Sequence, residues 1–536
     1  LIDPLGQAKP AVIDVSRSDR IVDESFETPY GKHCSHHHHA TESTFTCTFD
    51  DGTETKLDVR VANDGVAYRR RIPDIGSVLL VEDQGGYEFP SQTTSWLTPY
   101  RGNHEGTMRR IPLQKASDEY CTPGLFEICD SDWVLVGEAG VDGNYHASKL
   151  TSTARSDLVE YAHPGEQLGD KPVRAKDSFE TPWRVLIVGG LDDVVESDLV
   201  PGLVDDSKIE ETDWIEPGRV AWSWWSDSTS PRDFQRQREF VDYASERGWE
   251  YVLVDEGWSP EWLPDLVEYA NKRDVGLFVW THWTDLHVAD ERREKLSQWA
   301  EWGIDGIKVD FMDSDEQGRL QFYDALLADA ADRELLVNFH GSIVPVGLRR
   351  RWPHVLTYEA VEGAEHLKWS SLTPEHNVIL PYARNVVGPM DYTPVTFSAD
   401  SRHTTVGHEL ALAVTYESGL QHFADSIEAY AARPHAEWFL ERVPAAWDET
   451  RFLRGRPGSE FTVARRRDGT WFVGSITAGA ERTIEIPFPF LDATHDAELI
   501  RDRTDDQLRR DTVTVGSTSP LSVTLPANGG LVLYVE

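Results

Sequence analysis

The sequence of 536 residues predicts a multidomain α/β plus β protein: a (β/α)8 barrel of TIM type between an N-terminal β-sandwich and a C-terminal β-domain. Three observations predict it. Short alternating runs closed by turn residues fill residues 1–213. Apolar runs of strand length then alternate with amphipathic stretches over 214–446, and the β rhythm returns over 447–536. The length agrees, because one core rarely organises so long a chain and two or three domains are expected.

In the first segment Leu57-Asp58-Val59-Arg60-Val61 alternates apolar and polar residues and ends at Asn63-Asp64-Gly65 before Val66-Ala67-Tyr68. That turn chemistry signals a hairpin. Similar runs recur at 133–138 and 183–188, and many short antiparallel strands pack as two facing sheets. Pro217-Gly218 marks the change of rhythm. Strand-length runs follow at 220–224, 251–254, 275–280, 306–311, 335–339, 355–358 and 378–381, with a weaker eighth at 421–423. Helical stretches such as 233–247 and 291–302 lie between them. Repeated β-then-α units imply parallel strands joined by crossover helices, and about eight close a barrel. A doubly wound open sheet is the alternative. In the last segment Asp468-Gly469 reads as a hairpin turn and 531–535 as a final strand.

Acidic residues number 92 against 52 basic ones, a formal net charge of −40. Such a surface repels nucleic acid and anionic membrane, which excludes both as partners. The acids are spread among aromatic and apolar residues, a pattern that resembles proteins from salt-loving organisms. No run of about 18 apolar residues is present, so no membrane-spanning helix is expected. Cys34, Cys47, Cys121 and Cys129 are too few for a disulfide framework and lack metal-type spacing. The tract from His33 to His39, interrupted by Cys34 and Ser35, is expected in a solvated loop that chelates adventitiously. The chain opens Leu1-Ile2-Asp3, which a removed signal peptide or a truncation would equally explain, so localisation stays open.

In such a barrel, function gathers at the C-terminal ends of the strands. The polar residues there are Ser226, Asp227, Asp255, Glu256, His282, Lys308, Asp310, His340 and Glu359. Hydrolysis of a glycoside requires two carboxyl groups, one to protonate the leaving oxygen and one to attack or to activate water. This set holds enough of them. Within 306–311, strand alternation puts Lys308 and Asp310 on one face with Val309 opposite. A lysine so placed holds a neighbouring carboxylate ionised and bonds sugar hydroxyls; the plainer reading is a salt bridge at the barrel rim. Of Trp222, Trp224, Trp258, Trp280 and Trp283, one or two are expected to stack on a sugar ring and most to pack the barrel. His282 and His340 either bond hydroxyls or bond neighbouring backbone.

The chain resembles glycoside hydrolase family 97 in six ordered stretches. These are Trp222-Ser223-Trp224-Trp225, Val254-Asp255-Glu256-Gly257-Trp258, Lys308-Val309-Asp310-Phe311-Met312-Asp313, Asn338-Phe339-His340-Gly341, Tyr358-Glu359-Ala360-Val361-Glu362-Gly363-Ala364-Glu365 and Gly388-Pro389-Met390-Asp391-Tyr392-Thr393-Pro394. The resemblance implies a β-sandwich, a catalytic (β/α)8 barrel, a C-terminal β-domain and a calcium ion. Inverting, α-glucosidase-like members carry a base glutamate directly after the histidine that ends the fifth strand. Retaining, α-galactosidase-like members have glycine there and a nucleophilic aspartate ending the fourth. Here Gly341 follows His340 and Asp310 ends the fourth run. The resemblance therefore implies the retaining branch, with Asp310 as nucleophile and Glu365 as general acid/base.

An exo-acting α-galactosidase is then expected, the alternatives being an α-glucosidase of the same family and a sugar-binding protein without catalysis. Substrate contacts are expected from Lys308, His340, Asp255, His282 and Trp222. For calcium the resemblance implies Glu359, Glu365 and, from the N-terminal domain, Glu105 within Asn103-His104-Glu105; otherwise Glu105 is a solvated loop residue. Apolar Ala364 and Leu367 are expected to help raise the pKa of Glu365. Family members usually open with extra strands before the segment matching residues 1–30, so the resemblance implies a trimmed or atypical sandwich.

Overall fold

A computed structural model describes residues 11–73, 76–80, 85–129, 131–165, 172–504 and 506–536. Two antiparallel sheets face each other in the N-terminal part. The larger runs from Val12–Glu27 through Ser35–Phe49, Glu54–Ala62, Gly65–Ile72, Trp183–Gly189, Asp132–Ala139, Gly124–Cys129 and Thr94–Leu97 to Arg109–Pro112. The smaller joins Gly86–Glu88, Leu158–Ala162, Lys149–Ser152 and Asp118–Tyr120. Phe126, Val134 and Val136 of the first meet Leu150, Val159 and Tyr161 of the second in one core. The hairpin read at Asn63-Asp64 is present: Ala62 pairs Gly65 across it.

The histidine tract was expected in a loop, but His36 to His39 lie at the start of the strand Ser35–Phe49, paired with the strand Val12–Glu27, and only His33 precedes it. Strand alternation buries His36 and His38 and exposes His37 and His39. Of the two inward imidazoles, His36 is satisfied by Thr28 and Asp198. No disulfide joins the four cysteines.

Seven parallel strands form a nearly closed barrel: β1 (Gly218–Trp222), β2 (Tyr251–Val254), β3 (Gly276–His282), β4 (Gly306–Asp310), β5 (Leu336–Phe339), β6 (Val355–Tyr358) and β7 (Leu420–Phe423), in the order β6-β5-β4-β3-β2-β1-β7. Most are buried along their whole length, as strands covered on both faces must be. The covering helices carry ordinary stop signals. Phe234–Arg247 starts on Asp233, whose side chain accepts from the N–H groups of Gln235 and Arg236, and ends on left-handed Gly248.

One expected strand is absent. Residues 378–381 belong to the helix Pro374–Ile379 and the following 3-10 turn, Leu380–Tyr382. Thr373 caps that helix and Pro374 sits in its first turn, start signals that a short apolar run cannot outvote. The weaker eighth run is a true strand, β7. Between β6 and β7 the gap is filled by irregular chain: Asp391 N–H donates to Tyr358 O at 2.9 Å, and Pro394 O accepts from Ala424 N–H at 3.1 Å. This replacement for an eighth strand delivers Asp391 into the barrel mouth.

The C-terminal part is a six-stranded antiparallel sheet with the pair Arg482–Ile486 and Leu521–Leu525 packed on it. Its Asp468-Gly469 turn has both residues at positive φ, 49° and 86°, as a tight hairpin requires. Among the described residues no helix is long and apolar enough to cross a membrane.

Candidate active site

Asp310 is the last residue of β4, half-buried at the barrel mouth. Trp280, on the neighbouring β3 two residues before the residue level with Asp310, donates its indole N–H to Asp310 Oδ2 at 2.9 Å, and the Phe311 N–H donates to Oδ1 at 2.6 Å. Two donors thus fix both oxygens. Lys308 shares the face of Asp310 but does not pair with it, as strand alternation suggested. Its Nζ donates to Asp255 Oδ2 at 3.0 Å, and Trp222 Nε1 donates to the same oxygen at 2.8 Å. Burial opposes the charge on Lys308, but Asp255, Glu365, Asp310 and Glu359 outweigh it and hold the ammonium above its ordinary value. Asp255, Lys308 and Trp222 therefore form an internal brace beneath the site.

His340, just past β5, lies between carboxylates: Nε2 is 2.7 Å from Asp391 Oδ2, while Nδ1 is 3.2 Å from Glu359 Oε2 and 3.9 Å from Glu365 Oε2. Burial disfavours its charged form, yet Glu359 and Asp391 carry its pKa well above the usual imidazole value. Glu359 also accepts the Gly341 N–H at 2.8 Å. Asp391 receives Asn338 Nδ2 at 2.8 Å and His422 Nδ1 at 3.0 Å. Burial works against the Asp391 carboxylate, but His422 and His340 overcome it and depress its pKa. Asp391, Asn338 and His422 were given no role from sequence; their only signals were the places of Asn338 within 338–341, Asp391 within 388–394 and His422 within the run 421–423.

Glu365 sits in a short 3-10 turn, Ala364–Lys368, positioned by Glu365 N–H donating to Thr393 Oγ1 at 3.1 Å. Its Oε2 is buried without a hydrogen-bond partner. Burial raises its pKa, Glu359 and Asp310 raise it further, and Lys308 and His340 pull the other way. The carboxyl is thus suited to hold a proton. Donor atoms of His340, Glu359 and Glu365 all lie within 4.8 Å of one another, the one such group found among the described residues.

Glu105 is not a solvated loop residue. It enters from the N-terminal part, 3.2 Å from His366 Nε2. Burial and then Glu359 and Glu365 raise its pKa, so it shares their surroundings. The loop carrying it is pinned to the barrel by His104 Nε2, 2.9 Å from Asp315, and by Met108 N–H donating to His376 Nδ1 at 3.1 Å.

Other candidates do less. Ser226 donates to Ser223 O, and Asp227 accepts from Thr229, so both serve their own loop. Trp258 donates to Trp280 O, and Trp283 packs under Arg319, whose guanidinium lies 3.5 Å from the ring centroid. Glu256 is exposed. His282, level with Asp310 across the β3–β4 pairing, is occupied at Nδ1 by Thr284 and stacks with Phe311 and Trp283. Gly341 has φ +53°, and a β-carbon there would meet Asp313 Oδ1 at 2.8 Å, Phe311 Cα at 3.2 Å and Met312 N at 3.3 Å. A side chain at 341 would thus be crowded and strained, and the sequence supplies none.

The family model for glycoside hydrolase 97 matches residues 214–361, its N-terminal companion residues 6–205, and its C-terminal, oligomerisation companion residues 446–536. A probable retaining alpha-galactosidase of Streptomyces bingchenggensis (strain BCW-1) is 39% identical, over 96% of this chain and 82% of its own. The chain belongs to glycoside hydrolase family 97. A second relative, the retaining alpha-galactosidase of Bacteroides thetaiotaomicron, is 27% identical over 97% of this chain and 88% of its own. A solved beta-arabinopyranosidase is similar at TM-score 0.91 and 27% identity, covering 97% of this chain and 91% of that one. A glycoside hydrolase family 97 enzyme from Pseudoalteromonas sp. strain K8, in complex with acarbose, shares the fold at TM-score 0.88 and 22% identity, over 98% and 92% of the two chains. This family 97 chain is a glycoside hydrolase.

Proposed function

We propose that this family 97 enzyme is an exo-acting retaining α-galactosidase in which Asp310 is the nucleophile and Glu365 the general acid/base. The observation that carries the reading is the pair of Asp310, held at both oxygens by donors, and Glu365, a buried carboxyl with one oxygen unpartnered. Asp310 Oδ bonds to C1 of the galactosyl ring as the C1–O bond breaks, and Glu365 gives its proton to the leaving oxygen. Water then attacks C1, its proton passes to Glu365, and the C1–Oδ bond breaks. Two inversions leave the α configuration. Glycine at 341, in a crowded left-handed turn, supports this over inversion, which needs a base on the opposite face of the sugar. His282, half-buried beside Asp310, is the direct hydroxyl partner in this reading; Lys308, Asp255, Trp222 and His340 position the carboxyls.

Calcium fits the donor set. Glu105, Glu359 and Glu365 crowd three carboxyl groups together, two of them with raised pKa, and a hard cation taking oxygen ligands relieves that crowding. These three residues would hold it, and when bound it would supply positive charge that orients the acid.

A panel of nitrophenyl glycosides tests the reading: α-galactoside, α-glucoside and β-L-arabinopyranoside, the last lacking only the hydroxymethyl group of the first. Preferential hydrolysis of the α-galactoside is expected, reduced by a chelator and restored by added calcium. Preference for either other sugar overturns the substrate assignment, and indifference to the chelator overturns the metal.

The −40 net charge supports a further reading, a surface adapted to concentrated salt. Salt screens like charges within a Debye length of about 3 Å at 1 M. The melting temperature is therefore expected to climb steeply with KCl, and a flat response up to molar salt would refute the adaptation.

A further inference from the structure

The chain holds 19 Trp, 20 Phe and 17 Tyr, yet among the described residues only Phe311 and Trp369 are largely exposed, at 48% and 59%. Every other described aromatic is buried or half-buried. Both exceptions adjoin the reacting carboxyls: Phe311 directly follows Asp310, and Trp369 lies four residues after Glu365. Scattered exposed apolar residues need no explanation, but two aromatics at one mouth of a sealed molecule do.

Each ring is held so that part of it stays open. Phe311 has φ +60°, a conformation disfavoured for a bulky residue and kept only where the surroundings impose it. His282 stacks on its ring at 5.1 Å and 23°, and Trp280 meets it edge-on at 6.5 Å. Trp369 is anchored by its indole N–H, which donates to His366 Nδ1 at 3.2 Å. Trp224 meets it at 6.4 Å and 77°, and no ring stacks flat upon it.

We propose that Phe311 and Trp369 are the aromatic walls of an aglycone subsite, which binds the pyranose ring of the leaving-group sugar. The C–H face of a pyranose stacks on an aromatic face, and the two walls stand beside the groups that break its glycosidic bond. The inference rests on the roles given to Asp310 and Glu365 above. It implies that the natural substrate carries a sugar, not a lipid or a small alcohol, on the leaving side.

The test compares α-galactosyl fluoride, which has no leaving-group sugar, with the disaccharide galactosyl-α-1,6-glucose. Trp369→Ala and Phe311→Leu are expected to lower kcat/KM on the disaccharide about tenfold more than on the fluoride, the size of one lost stacking contact. Trp369→Phe should recover most of that loss. Equal falls on both substrates, or no fall on the disaccharide, would overturn the subsite. Melting temperatures near the parent's show that the variants fold. A parent enzyme inert to the fluoride would overturn the roles of Asp310 and Glu365 together with the subsite, which separates the two failures.

Discussion

Asp310→Gly should lower α-galactoside hydrolysis by roughly ten-thousandfold or more, and added azide should restore turnover with β-galactosyl azide as product. The position of Asp310 makes this specific. Trp280 and the Phe311 N–H grip the two carboxylate oxygens at the end of β4, and neither donor depends on the side chain being aspartate. Truncation leaves a carboxylate-sized space flanked by the same two donors, which suits a small anion. Azide entering there attacks C1 from the side that Asp310 occupied, a single displacement that inverts the α-linkage to β. Chromatography and anomeric NMR couplings read the product. Activity near the parent's, or an α-azide, would remove Asp310 from the role.

The sequence carries β4 plainly because one strand holds both its fold signal and its chemistry: Gly306 to Asp310 are apolar where the barrel closes and charged where it opens. What alternation cannot supply is the neighbour. Lys308 lies on the face of Asp310, but parallel pairing sets Asp255, just past β2, and Trp222 of β1 across the barrel mouth, and the lysine turns to Asp255. Asp391 escaped notice for the complementary reason. It belongs to irregular chain replacing a strand, where no periodicity marks which side chain points inward, yet it fixes His340, Asn338 and His422 at once. The apolar run at 378–381 failed as a strand because length and polarity alone do not separate a short buried helix from a short buried strand. Glu105 shows what distance in sequence conceals. Only the docking of the N-terminal loop, through His104 and Met108, brings it to carboxyls more than 250 residues away.

Glu365→Gln separates acid from nucleophile by leaving group. Glutamine keeps the shape of the side chain but has no proton to give, so slow leaving groups should suffer by about a hundredfold to ten-thousandfold. Fluoride and dinitrophenolate depart with little protonation, and formation of the galactosyl-enzyme from them should hold nearer the parent rate. Its hydrolysis then slows, because water attacking C1 loses its base; the covalent intermediate accumulates and KM falls with kcat. Azide needs no base. It should capture the intermediate on the face the leaving group vacated and release α-galactosyl azide, the opposite anomer to that from Asp310→Gly. One anion thus reports both roles, since the anomer formed depends on whether Asp310 still holds the sugar. Uniform slowing of every substrate without azide rescue, or a β-azide from this variant, would deny Glu365 the proton that its burial beside Glu359 and Asp310 favours.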